Sequence, residues 1–229
     1  MAEYGDATIE LVESVIGRGV QRGVLLMRHS AREYEPGRHD LENPLTESGR
    51  SLAHRLGERL PKSLLLRGYA SPPQRCMETA ELVLAGHATG GGGITRHRPL
   101  EALGVFYALD QMRMWKGMNV AGGLLPYMQQ WFDGQVPADA MMAPELAVRL
   151  VLRVLAEKLR APGADSQLDV CVSHDMTLYL LRDRLLGERL QLAPVEYLDG
   201  LLLFEAEGAL RLAGHRGLEV TFAADIFEP

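Results

Sequence analysis

The chain has 229 residues, and its 24 Lys and Arg against 30 Asp and Glu leave a net charge of −6. At ~150 residues per domain, that length fits one large domain or one domain with an insertion. With 47% hydrophobic and 24% charged residues it can bury a sizeable core. Intrinsic disorder is thus excluded as the main state, and a mildly acidic surface excludes a general nucleic-acid binder.

Residues 1–19 are weakly patterned. The run from Ile9 to Val15 is an expected short amphipathic helix, broken by Gly17 and Gly19. Val24-Leu25-Leu26-Met27 reads as a short buried strand, and it runs straight into Arg28-His29-Ser30. Thr46 is the expected N-cap of a helix from about Glu47 to Leu60, which Pro61 ends. Leu64 to Ala70 is strand-like. Ser71-Pro72-Pro73-Gln74 reads as a capping box, with Ser71 as cap, opening a helix to about Ala85. Gly90 to Gly93 is a loop.

Residues 104–142 are rich in Met and aromatic side chains, and the expectation is an inserted helical lid over the sheet. Pro144 opens a helix to about Arg160, with Leu146, Leu150 and Val154 on one face and Arg149, Arg153 and Glu157 on another. Asp169 to Val172 is a second buried strand, running into Ser173-His174-Asp175 and a helix from Met176 to Leu186. Leu201–Phe204 and Leu210–Ala213 form a strand pair around Glu207-Gly208. Strands alternating with helices imply an α/β three-layer sandwich. Its central sheet is mostly parallel, with helices on both faces, an antiparallel strand at one edge and the helical insertion over the active-site edge. The chain is expected to be one domain, 1–229.

Two cysteines, Cys76 and Cys171, cannot build a disulfide framework. The first residues do not read as a secretory signal, and no apolar run of ~18 residues is present to span a membrane. A cytoplasmic protein is expected, without membrane or nucleic-acid partners.

The two clearest strands each end in a histidine, His29 and His174, and such strand ends converge on one crevice in an open α/β sheet. Arg28, Arg32 and Arg75 add guanidinium forks that match phosphate oxygens. Asp175 opens the last helix, where free N–H groups also favour an anion. One imidazole is a candidate nucleophile, the other an oxygen clamp, and the carboxyl a proton donor.

These residues resemble the histidine phosphatase superfamily, which includes phosphoglycerate mutases and histidine acid phosphatases. Arg28-His29-Ser30-Ala31-Arg32 is similar to the family's Arg-His-Gly-x-Arg opening, with Ser30 where glycine is usual. Leu45-Thr46-x-x-Gly49, Ser71-x-x-x-Arg75-x-x-x-Thr79-Ala80 and Ser173-His174-Asp175-x-Thr177 resemble the motifs that follow. The His-Asp pair is closest to the acid-phosphatase branch.

The resemblance implies a metal-independent phosphomonoesterase without cofactor, acting on a small phosphorylated substrate. Arg28, Arg32, Arg75 and His174 would hold the phosphate, His29 would become phosphohistidine, and Asp175 would protonate the leaving alcohol. Glu101 is the alternative donor, because Leu100-Glu101-x-x-Gly104 is near the mutase-like pattern. A phosphoglycerate-mutase-type transferase and a non-catalytic phosphate-binding or scaffold protein are the competing functions.

Plainer readings stand beside these. Arg75 has Glu78 and Glu81 within a helical turn. Asp175 is a natural N-cap. Cys76, next to Arg75, is either a buried inert thiol or one acidified by the arginines. His39, His54, His87, His97 and His215 lack ligand spacing and read as surface or loop residues, with no metal site expected. Arg38 and Lys116 are candidates for a second phosphate, and the Met and aromatic side chains instead suit an apolar leaving group.

Overall fold

A computed structural model describes residues 3–34, 42–191 and 194–223. Its elements are α1 (Asp6–Gly17), β1 (Arg22–Arg28), α2 (Glu47–Arg59), β2 (Leu65–Ala70), α3 (Gln74–Thr89), β3 (Ile94–Pro99), α4 (Gln111–Ala121), α5 (Leu124–Phe132), α6 (Pro144–Arg160), β4 (Gln167–Ser173), α7 (Asp175–Leu186), β5 (Gly200–Ala206), β6 (Ala209–Ala213) and β7 (Glu219–Phe222). Arg38 and His39 lie outside the described residues.

The seven strands form one sheet in the order β3-β2-β4-β1-β5-β6-β7. β3, β2, β4 and β1 pair in parallel, and β5, β6 and β7 continue the sheet antiparallel. The central strands are buried on both faces, which explains their uninterrupted apolar runs. Alternate residues of β1 divide between two cores. Val24 and Leu26 pack with α6 and α7, whereas Leu25 and Met27 pack with α1, α2 and α3. This is the expected α/β architecture, with helices on both faces of the sheet.

Two strands went unread in the sequence. β3 is an edge strand whose residues are mostly exposed, so it has no apolar signature. β7 is short, at the opposite edge. The antiparallel part therefore has three strands rather than one.

Helix α2 starts as expected: the Gly49 amide donates to Thr46 Oγ1 at 2.8 Å. Helix α3 does not. It begins at Gln74 with Pro73 as N-cap and no side-chain cap, because the Ser71 hydroxyl is engaged elsewhere. On α6 the core face is Ala147, Val148, Val151, Leu152, Leu155, Ala156 and Leu159. Leu146 is exposed, and Leu150 and Val154 are half-buried, so the Leu146-Leu150-Val154 stripe borders the core instead of forming it.

Within 104–142, α4 and α5 bury Met114, Met118, Tyr127, Met128 and Trp131. Trp131 stacks on Tyr107 at 5.2 Å and its Nε1 donates to the Met142 carbonyl at 2.7 Å.

Of the histidines read as surface or loop residues, His87 is neither, and His215 is a half-buried residue of the turn between β6 and β7. His87 is fully buried on α3, where its Nε2 donates to the Leu64 carbonyl at 3.0 Å. His215 sits against the buried Arg182–Asp199 pair, 3.2 Å from Arg182 Nη2. Short-range sequence patterns do not register such long-range polar satisfaction. Among the described residues, no helix is long and apolar enough to cross a membrane.

Candidate functional site

The C-terminal ends of β1 and β4 lie side by side, with Arg28 opposite Ser173 in the parallel register. The following residues, His29 and His174, are thereby brought together. Their ring centroids are 5.8 Å apart and both side chains are buried. Helix α3 adds Arg75, whose Nε–H donates to His29 Nε2 at 3.1 Å. Glu78, one turn along α3 from Arg75, is paired with Arg50 at 2.6 Å.

The tautomer of His29 follows from its partners. Nδ1 lies 2.8 Å from the Ser30 carbonyl, which can only accept, so Nδ1 carries the proton. Nε2 then holds the lone pair, which faces Arg75. Burial, and after it the charge of Arg75 and the neighbouring His174, holds the His29 pKa well below its ordinary 6.5. His29 is thus a neutral imidazole beside a guanidinium. His174 is pushed down to about 4, by burial first and then Arg75, against the pull of Asp175. Its Nε2 shares a hydrogen bond with Ser71 Oγ at 2.9 Å. Ser71 is therefore a ring anchor, a role its position in a capping box concealed.

The strand-end loop is held by the remaining motif residues. The Ser30 amide donates to Thr79 Oγ1 at 3.1 Å, and the Ser30 hydroxyl to the Gly49 carbonyl at 2.7 Å. The serine standing in the glycine position thus turns its side chain toward α2. Gly49 has its own constraint: a Cβ there would lie 2.1 Å from the Ala31 carbonyl oxygen. Ser173 Oγ donates to the Leu103 carbonyl at 2.7 Å, and Thr177 Oγ1 is 3.0 Å from the Tyr107 hydroxyl. Cys76 is buried, and desolvation pushes its thiol up to about 12 despite Arg75. The arginine does not acidify it.

A cleft of about 1000 Å³ opens over this centre. His29, Arg32, Arg75, Glu101, His174 and Asp175 all line it. Arg28 stands outside that lining. Its Nη2 is 3.0 Å from Asp175 Oδ2, its Nη1 donates to the Val195 carbonyl at 2.7 Å, and its guanidinium lies 4.2 Å from the Tyr197 ring centroid. Val195 and Tyr197 were not singled out in the sequence; they lie in a turn with no periodic signal. Lys116 is not part of the lining either. Among the described residues, no group of three or more His, Cys, Asp or Glu is arranged to hold a metal ion.

The centre of the site is thus two histidines at adjacent strand ends of an α/β sheet, one of them hydrogen-bonded by an arginine. The sequence profile of the histidine phosphatase superfamily (branch 1) matches residues 24–104. The matching profile is that of branch 1, whereas the His-Asp motif leans toward the acid-phosphatase branch. A search of curated proteins finds no match.

Solved structures share the fold. Phosphoglycerate mutase from Bacillus anthracis str. Sterne is 16% identical, over 89% of this chain and 92% of that one, with a TM-score of 0.50. A phosphoserine phosphatase variant from Entamoeba histolytica, solved with phosphoserine, is 14% identical over 88% and 95%, with a TM-score of 0.51. Bacillus stearothermophilus YhfR is 18% identical over 84% and 95%, with a TM-score of 0.52. At these identities the likeness is one of fold.

Proposed function

We propose that the protein is a metal-independent phosphomonoesterase working through a phosphohistidine. The observation that carries this reading is the neutral His29, with Nδ1–H tied to the Ser30 carbonyl and Nε2 directed at Arg75. A buried imidazole of fixed tautomer is a competent nucleophile, and a guanidinium at its lone pair marks where an anionic group is drawn.

In the first step the His29 Nε2–P bond forms and the P–O bond to the alcohol breaks. Asp175 gives its proton to the departing oxygen. In the second, water attacks phosphorus, the N–P bond breaks, and Asp175 takes the water's proton. Arg75, Arg32 and His174 hold the phosphoryl oxygens. Arg28 joins them by exchanging Asp175 for the phosphate, an exchange that also leaves the carboxyl free to face the leaving oxygen. Residues 104–142 act as a lid over the cleft.

A second reading keeps Glu101 as proton donor. It lines the same cleft and lies within the stretch matched by the branch 1 profile. That reading suits a phosphoglycerate-mutase-type transferase.

The test is hydrolysis of p-nitrophenyl phosphate in EDTA, across pH, with wild type and His29→Ala. Activity that survives chelation and disappears in the variant is the expected result. Isomerisation of phosphoglycerate without release of free phosphate would favour the transferase. Phosphate binding without turnover of either substrate would favour a non-catalytic protein.

A further inference from the structure

We infer that the alcohol released from the substrate is apolar: an extended alkyl or aryl group seated along the wall formed by α4, α5 and α6. This rests on the phosphomonoesterase reading of the same site. The cleft of about 1000 Å³ lies at the upper end of the ~300–1,000 Å³ usual for ligand sites, well beyond what one phosphoryl group fills.

Away from the strand ends its lining is mostly apolar, with Gln111, Asn119, Arg153 and Glu157 interspersed. The polar centre is at the strand ends, on His29, Arg75, His174 and Asp175. Beyond it the lining includes Phe106, Met114, Trp115, Met118, Leu124 and Val154. The α6 residues are the most informative. Leu150 and Val154 sit one turn apart, half-buried, and both line the cleft, while the core is filled by the neighbouring stripe. Half-buried apolar side chains at the border of the core that face an open cleft are accounted for by an apolar occupant.

A polyanionic leaving group is disfavoured by the same lining. Besides Arg32 and Arg75, the lining cation among the described residues is Arg153, and it pairs with Glu157, also in the lining, at 3.4 Å. Met114 and Met118 can repack around occupants of different shape. The wall therefore selects apolar character more than one exact outline.

The experiment is a series of alkyl phosphates, methyl, butyl, hexyl and octyl, kept below micelle-forming concentration, beside glycerol phosphate and phosphoserine. Each methylene that enters the wall is worth at most about fourfold, so kcat/KM should rise at least tenfold from butyl to octyl. The polar esters should fall below butyl phosphate. Leu150→Gln and Val154→Gln should each lower the octyl-to-butyl ratio. In parallel, calorimetric titration with methylphosphonate and octylphosphonate, which cannot be turned over, should give at least tenfold tighter binding of the octyl compound.

Hydrolysis of all esters with no dependence on chain length would overturn this inference and leave the phosphomonoesterase reading intact. No hydrolysis together with preferential octylphosphonate binding would overturn the hydrolase reading and leave the apolar wall. Neither hydrolysis nor preferential binding would remove both.

Discussion

Arg28 and Asp175 are joined by an ion pair at 3.0 Å across the ends of β1 and β4. Asp175 lines the cleft and Arg28 does not. The proposed acid is thus paired with a proposed phosphate ligand. Asp175→Asn should then slow alkyl phosphates by about 10²–10⁴-fold, while p-nitrophenyl phosphate, whose phenolate leaves unprotonated, should change by less than about tenfold. Glu101→Gln should show no such dependence on the leaving group. If Glu101→Gln shows it and Asp175→Asn does not, the donor is Glu101. Steady-state kinetics over leaving groups of graded pKa decide between them.

His29→Ala should reduce turnover by about 10⁴-fold or more, since the covalent route loses its nucleophile. The far-ultraviolet circular dichroism should be unchanged. Rapid quenching of the wild type with a 32P-labelled ester should trap a phosphoenzyme that is stable to base and labile to acid. Labelling that persists in His29→Ala would place the nucleophile elsewhere.

The sequence made the site legible where chemistry and periodicity coincide. β1 and β4 are apolar on both faces and each runs into a histidine, so a pattern of a few residues identified both strand ends. Thr46 was readable as a cap because capping is local. What stayed hidden depends on contacts between distant residues. Ser71 looks like a cap but anchors His174. Tyr197 and Val195, which hold Arg28, have no pattern of their own. His87 is buried by a bond to Leu64, 23 residues away. β3 escaped notice because an exposed edge strand needs no apolar face.

Stability should fall as the solution is acidified from pH 6.5 toward 4. His174 and His215 have folded-state pKa values pushed down to about 4, and burial holds His29 well below 6.5. In the unfolded chain the same groups take up protons near 6.5. Below that pH the unfolded state binds more protons, so the equilibrium shifts toward it. Above 6.5 the contribution is fully present; it is lost as pH drops through the window down to the folded values. For His174 and His215 a shift of this size corresponds to about 3 kcal/mol each. Urea midpoints at pH 7.5, 6.5, 5.5 and 5.0 test this in a range above the titration of ordinary carboxylates. A flat profile from 7.5 to 5.0 would contradict it.

Gly49→Ala should damage the site more than the fold. The added Cβ would fall 2.1 Å from the Ala31 carbonyl oxygen and 3.0 Å from its carbon, both backbone atoms with no rotamer to absorb the clash. Ala31 is two residues from His29, and its carbonyl also accepts the Thr46 amide at 3.0 Å. Relief therefore requires the first turn of α2 and the 29–32 segment to separate, which moves the Ser30 carbonyl that fixes the His29 tautomer. Overpacking of this kind costs about 1–3 kcal/mol, so the folded state should survive with a lowered urea midpoint. Turnover should fall by about 10²-fold, as a displacement of about 1 Å at the reacting atoms implies. A variant that loses stability but keeps wild-type kcat would mean that the loop absorbs the methyl without shifting His29.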